Sequence, residues 1–301
     1  MKIKKLKLIT VFFVSLLFCL VSCKKENIVS VRFVFENDNK IHLGDKVIQI
    51  PKGCDFAFDE VQNKLWLHEA RRYSSLFTCF NSDGEKEKSF SLNYEQGAPM
   101  IGGPGIFVSD GVALIPEMLF KGNHFFLVDL NKKTYQLVKV DFDFCLISDF
   151  YDKKMFVTML GDVLGVYDFV TNEFTEIKED LQGYGFIPEK HVLVGLNDEG
   201  KICIQDYLSD SILNTNIKGL KDRDLGVIRE RYYVTDKYLY FAKKDVGYSI
   251  KYFIPRLIGS FTCLSNGKIP HVWYRYSLAD GKIEKIKTDD PFIEILGVIE
   301  D

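Results

Sequence analysis

Ser75-Leu76-Phe77-Thr78-Cys79-Phe80-Asn81-Ser82-Asp83-Gly84-Glu85-Lys86-Glu87-Lys88-Ser89-Phe90-Ser91-Leu92 sets the reading of the whole chain. A run dense in apolar and aromatic residues reaches Asp83-Gly84, a pair suited to a tight turn, and an alternating Lys-Ser-Phe-Ser-Leu segment returns from it. Two strand-like runs around Asp-Gly predict a β-hairpin whose returning strand has one buried face.

The same design recurs along the sequence. Phe125 to Val140 turns around Lys132, Leu164 to Lys178 around Asn172, Lys201 to Ile217 around Asp210, and Val272 to Thr288 around Asp280-Gly281. A weaker example, Val31 to Leu43, turns around Asp38. Between these hairpins lies a second series of turns, at Gln62-Asn63, Asp110-Gly111, Asp152-Lys153, Glu189-Lys190 and Asp236-Lys237. Successive members of that series stand about 48, 42, 37 and 47 residues apart, the period of a four-stranded propeller blade. No amphipathic helix of a dozen residues interrupts the pattern, so the expected class is all-β.

Five units carry both hairpins. The N-terminal hairpin lacks an inner partner, and Phe292 to Glu300 lacks an outer one. Joining the two completes a blade from both chain ends and removes an exposed sheet edge. The expectation is a six-bladed β-propeller closed by N- and C-terminal strands. Five or seven blades are the alternatives, depending on how Asp245 to Pro270, an insertion-like stretch, is used.

Composition agrees with a large packed core. Of 301 residues, 47% are hydrophobic, 14% aromatic and 27% charged, which excludes a disordered chain, a collagen-like repeat and a disulfide mini-scaffold. The first 22 residues are of another kind. Lys2, Lys4, Lys5 and Lys7 precede an apolar run from Leu8 to Leu20, too short for a bilayer span but suited to a secretory signal. Leu20-Val21-Ser22-Cys23 resembles the bacterial lipobox. That resemblance implies cleavage before Cys23, acylation of Cys23 and a lipid bilayer as partner. Lys24, where inner-membrane retention would call for Asp, implies sorting to the outer membrane. The domain expectation is therefore a signal peptide over 1–22, a linker over 23–29 and a propeller over 30–301 with an insertion near 245–270.

Four lysines leave with the signal, so 39 basic residues become 35 against 42 acidic ones, a net charge of −7. Nucleic acid is excluded as a partner, because phosphate binding draws on clustered Lys and Arg. Cys54, Cys79, Cys145, Cys203 and Cys263 show no metal-like spacing, and Cys79 and Cys203 sit inside apolar runs, as small core residues do. No phosphate loop, nucleophile elbow or zinc helix occurs. His42, His68, His124, His191 and His271 are scattered, and read as strand or surface residues. Asp141 and Asp143 would share a strand face, and Asp289-Asp290 precedes Pro291; both pairs read as solvated turns and strand ends. Neither catalytic nor metal-binding residues are assigned, and no cofactor.

The lipobox, the repeat of about 45 residues, the Asp-Gly hairpin turns and the Gly97-Ala98-Pro99-Met100-Ile101-Gly102-Gly103-Pro104-Gly105 loop together resemble the six-bladed propeller lipoproteins of the bacterial envelope. Those proteins are related in shape to NHL and TolB-like propellers. Ile106 follows the loop where the family has an acidic residue. The resemblance implies a lipid-anchored module that binds an envelope protein, peptide or glycan. The alternative is a hydrolase or lyase that gathers its residues at the central channel. For binding, Asp245 to Pro270 supplies Tyr252 and Arg256, and Arg229 and Arg231 lead into the same unit. Aromatic and arginine residues on loops of a rigid scaffold are common interface anchors.

Overall fold

The computed structural model describes residues 28–37, 40–43, 46–95, 105–117, 123–142, 146–158, 163–177, 181–187, 191–209, 211–218, 232–235, 237–244, 271–288 and 294–299. Every regular element among them is a strand. After β1 (Ile28–Val29), the first sheet contains β2 (Arg32–Asn37), β3 (Lys40–Leu43) and β4 (Lys46–Gln49). The second contains β5 (Cys54–Asp59), β6 (Lys64–Arg71), β7 (Ser74–Phe80) and β8 (Lys86–Asn93). β9 (Phe107–Ser109), β10 (Val112–Glu117), β11 (Asn123–Asp129) and β12 (Thr134–Val140) form the third. β13 (Leu146–Tyr151), β14 (Lys154–Thr158), β15 (Leu164–Asp168) and β16 (Glu173–Ile177) form the fourth. β17 (Gln182–Ile187), β18 (Val192–Leu196), β19 (Lys201–Asp206) and β20 (Ser211–Lys218) form the fifth. β21 (Tyr232–Val234), β22 (Tyr238–Lys244), β23 (His271–Ser277) and β24 (Ile283–Ile286) belong to the sixth, and β25 (Glu294–Ile299) returns to the first.

Apart from the strands that the chain ends add, each sheet is an antiparallel meander, as short hairpin turns dictate. The expected joining of the chain ends is present. β25 pairs antiparallel with β2, Phe33 opposite Val298 and Val34 opposite Gly297, giving the order β25-β2-β3-β4. Gly297 is required there, because a Cβ would lie 2.6 Å from the Phe58 ring of the second sheet. Six blades is the favoured expectation, with five or seven as alternatives; five sheets are regular four-stranded blades, and the remaining sheet, with five strands, departs from that pattern. Its extra member is β1, which pairs parallel with the outer strand β24, Ile28 opposite Lys285 and Val29 opposite Ile286. Two residues carry no periodicity, so no local pattern marks this strand.

Inner strands are buried on both faces and outer ones on one. β18 is buried throughout, whereas β8 alternates near its end with Phe90 and Leu92 inward. Among the described residues the core is correspondingly divided into six apolar clusters, each shared by two neighbouring sheets. Ile41 and Leu43 meet Leu65, Trp66 and Phe77 meet Ala113 and Phe126, and Leu114 and Phe125 meet Met155. Phe156 meets Leu193, and Val194 meets Leu239 and Phe241. Phe33 and Val298 then meet Tyr240 and Trp273, returning the cycle to the first sheet. This closed cycle of face-to-face sheets is a β-propeller. Cys79 and Cys203 are fully buried within it, and burial pushes the Cys79 thiol up to about 12.

Candidate functional site

In a four-stranded meander the first and third turns lie on one side of the sheet. Here they are tied together by a repeated backbone bond from the third turn to the first: Leu130 N–H to Gly111 O, Phe169 to Lys153, Tyr207 to His191 and Leu278 to Lys237, all at 2.9–3.0 Å. Left-handed backbone at Asn63, Asp110, Asp152, Lys153 and His191 makes the first turns tight. Glu189 and Lys190, around which the fifth-sheet turn is expected, lie outside the described residues, and His191 directly precedes β18.

The third turns are held by the acid that ends the third strand. Asp129 Oδ1 accepts the N–H groups of Asn131 and Lys132, Asp168 Oδ1 those of Val170 and Thr171, and Asp206 Oδ1 those of Leu208 and Ser209. The Ser209 and Leu208 N–H groups hold the Asp206 carboxyl below the usual carboxylate range despite some desolvation. A capped turn of this kind orients the second residue after the acid. Val170 and Leu208, at equivalent positions, are consequently presented to solvent, at 67% and 71% exposure.

Between the fourth and fifth sheets this face opens into a cleft of about 340 Å³. Its wall is aromatic: Tyr151, Phe156 and Tyr207 line it, with the Phe156 and Tyr207 rings 6.0 Å apart at 63°. Tyr207 Oη and His191 Nδ1 lie 3.3 Å apart and fix the two side chains against each other. Around the wall stand Asp152, Asp168, Glu173 and Glu176, with Lys154 as the lone lysine or arginine of the lining among the described residues. Lys154 Nζ lies 4.0 Å from Asp168 Oδ2. The carboxylates of Asp152, Glu173 and Glu176 have no ion-pair partner among the described residues. An aromatic wall with a charged rim can hold a ligand by stacking and by hydrogen bonds from its edge.

A second group of residues has a catalytic look and a structural geometry. Asp55, His68 and Ser75 come from three adjacent strands, β5, β6 and β7. His68 Nε2 lies 2.7 Å from Ser75 Oγ, while His68 Nδ1 stays 3.8 Å from Asp55 Oδ2, beyond hydrogen-bond range. Ser75 is fully buried and His68 nearly so. A nucleophile sealed from solvent reaches no substrate. The His68 ring instead packs 5.0 Å from Phe77 inside the second sheet.

The residues singled out from sequence have separate fates. Cys23, Arg229, Arg231, Tyr252 and Arg256 lie outside the described residues, as do Asp143 and Asp289-Asp290. Asp141 is exposed and pairs with Lys139 at 3.0 Å. Among the described residues no group of three or more His, Cys, Asp or Glu is placed to hold a metal ion. The cleft itself escaped the sequence reading, because its walls come from turns some 40 residues apart.

No protein-family model matches the chain, and no curated protein matches it in sequence. Solved structures do. TolB from Acinetobacter baumannii is 12% identical with a TM-score of 0.48, over 88% of this chain and 65% of that one. The Neurospora crassa Pan2 WD40 domain is 10% identical with a TM-score of 0.37, over 76% and 63%. AztD from Citrobacter koseri is 11% identical with a TM-score of 0.42, over 86% and 72%. The chain thus spans less than two thirds of the length of the first two. These are likenesses of shape; what makes the chain an all-β propeller is its own cycle of sheets and shared clusters.

Proposed function

We propose that the protein is a binding module of the bacterial envelope, tethered by acylation at Cys23, that receives an envelope protein, peptide or glycan on its turn-bearing face. The observation that carries this reading is the open cleft between the fourth and fifth sheets. It combines an aromatic wall with charged groups left unpaired on a rigid scaffold, which is how binding sites on propellers and other β scaffolds are built. The lipobox motif Leu20-Val21-Ser22-Cys23 and the preceding basic and apolar run support the tether. Two or more acyl chains hold a protein at a membrane with little release.

The two halves of the proposal are tested separately. Cys23→Ser should abolish incorporation of a labelled fatty acid and release the product from the membrane fraction; labelling that persists overturns the tether. A photo-crosslinking amino acid at Leu208 should yield a discrete adduct in intact cells, and the same probe at Tyr73, on the opposite turn, should not. Equal adducts at both positions, or none at Leu208, overturn the assignment of the binding face.

A further inference from the structure

Three clefts between neighbouring sheets, as lined by the described residues, are of similar volume and differ in charge. The cleft between the third and fourth sheets, about 310 Å³, sets Asp129 beside Lys153, and Asp129 is already paired with Lys132 at 3.1 Å. Its lining is balanced. The cleft between the sixth and first sheets, about 400 Å³, is lined by Arg32, Lys237 and Arg275 and by no carboxylate. Of these three, the cleft between the fourth and fifth sheets is the one with an acidic excess among the described residues: four carboxylates against Lys154. Repetition of the blade explains the common shape. The charge belongs to individual residues, so it carries information about a ligand that the fold does not.

We infer that this cleft takes the cationic side chain of an arginine or lysine from a partner polypeptide. The inference rests on the binding reading above and narrows it to one chemistry. Asp152 stands on the turn between β13 and β14, and Glu173 opens β16, so their carboxylates approach the cleft from two elements. Both are exposed and neither has an ion-pair partner among the described residues. Tyr151 and Tyr207 line the same cleft, and an aromatic lining attracts a cation most strongly where water is partly excluded. A guanidinium suits both features, because its plane stacks on an aromatic ring while its edge donates two parallel bonds to a carboxylate. A volume of about 340 Å³ is at the small end of ligand sites, enough for a side chain and its neighbours. Lys154, bound loosely to Asp168, competes with such a cation and sets its affinity.

The test uses the full chain, isotope-labelled, titrated with N-acetyl-arginine methylamide and with its neutral isostere, N-acetyl-citrulline methylamide. The arginine compound should shift resonances of Thr171, His191 and Leu208 with a Kd about tenfold lower than the citrulline compound. Asp152→Asn combined with Glu173→Gln should remove that preference without lowering the melting temperature, and Lys154→Gln should strengthen it. A lysine analogue binding nearly as well identifies the shared feature as positive charge, within the inference. Equal binding of arginine and citrulline overturns it, as does stronger binding of a neutral oligosaccharide, and so does an undiminished preference in the double variant. If the Leu208 adduct forms while the arginine compound shows no preference, the cationic inference fails and the binding face stands. Loss of the adduct with the preference intact means the reverse.

Discussion

The Asp59 carboxylate accepts the Gly111 backbone N–H at 2.7 Å, across the boundary between the second and third sheets. It also accepts the N–H groups of Asp110, at 3.1 Å, and Gln62, at 3.2 Å. One fully buried acid at the end of β5 therefore fixes its own turn and the first turn of the next sheet. Ser109 occupies the matching place at the end of β9, its Oγ accepting Asp152 N–H at 3.4 Å.

Asp59→Ala leaves those N–H groups without their acceptor. Stability should fall by about 2 kcal/mol, read from urea unfolding at pH 7; a change within about 0.5 kcal/mol would show that the bonds are dispensable.

Two acids should respond to pH with opposite signs. Burial raises the Asp59 carboxyl above its ordinary value, against the lowering effect of its backbone bonds. Its contribution is fully present below the unfolded pKa of about 3.9 and is lost as pH rises through the folded value. Glu284 is held low by Lys282 and Arg275, with Arg275 at 2.6 Å, so its contribution is present above about 4.3 and lost as pH falls through the folded value. The stability difference between Asp59→Asn and the parent should thus shift in favour of the variant between pH 3.5 and 7. The deficit of Glu284→Gln should instead shrink as pH is lowered. Chemical unfolding at the two pH values decides, and parallel curves would contradict both assignments.

Closure of the ring can be tested by overfilling it. Gly297→Val puts methyl groups where the Phe58 ring lies, and should cost about 1–3 kcal/mol. Phe33→Ala, which empties the contact with Tyr240 and Trp273, should cost about 3–5 kcal/mol. Calorimetry on both variants distinguishes a seam that holds the ring from one that adds nothing.

Much of the fold was legible because hairpins are local. Asp83-Gly84 and Asp280-Gly281 name their turns, and the alternation after each names the buried face. Phe292 to Glu300 could be matched to the N-terminal hairpin because both were incomplete. β1 could not, since two residues pairing with a strand some 250 positions away leave no local mark. The cleft was hidden for a related reason. Tyr151, His191 and Tyr207 are unremarkable in sequence and meet only when the fourth and fifth sheets stack. Charge was legible as a total, but its concentration between two particular sheets was not.

The parallel strand β1 also has a mechanical meaning. Tension drawn through the N-terminal end of the chain first meets Ile28 and Val29, held to β24 along the pulling direction, with Lys287 N–H on Val29 O at 2.9 Å. Only when that short splice slips does the load reach β2 and the seam with β25. A tug on this end would therefore be absorbed on the outer rim of the sixth sheet, as by a strain-relief clamp on a cable, before it could open the wheel.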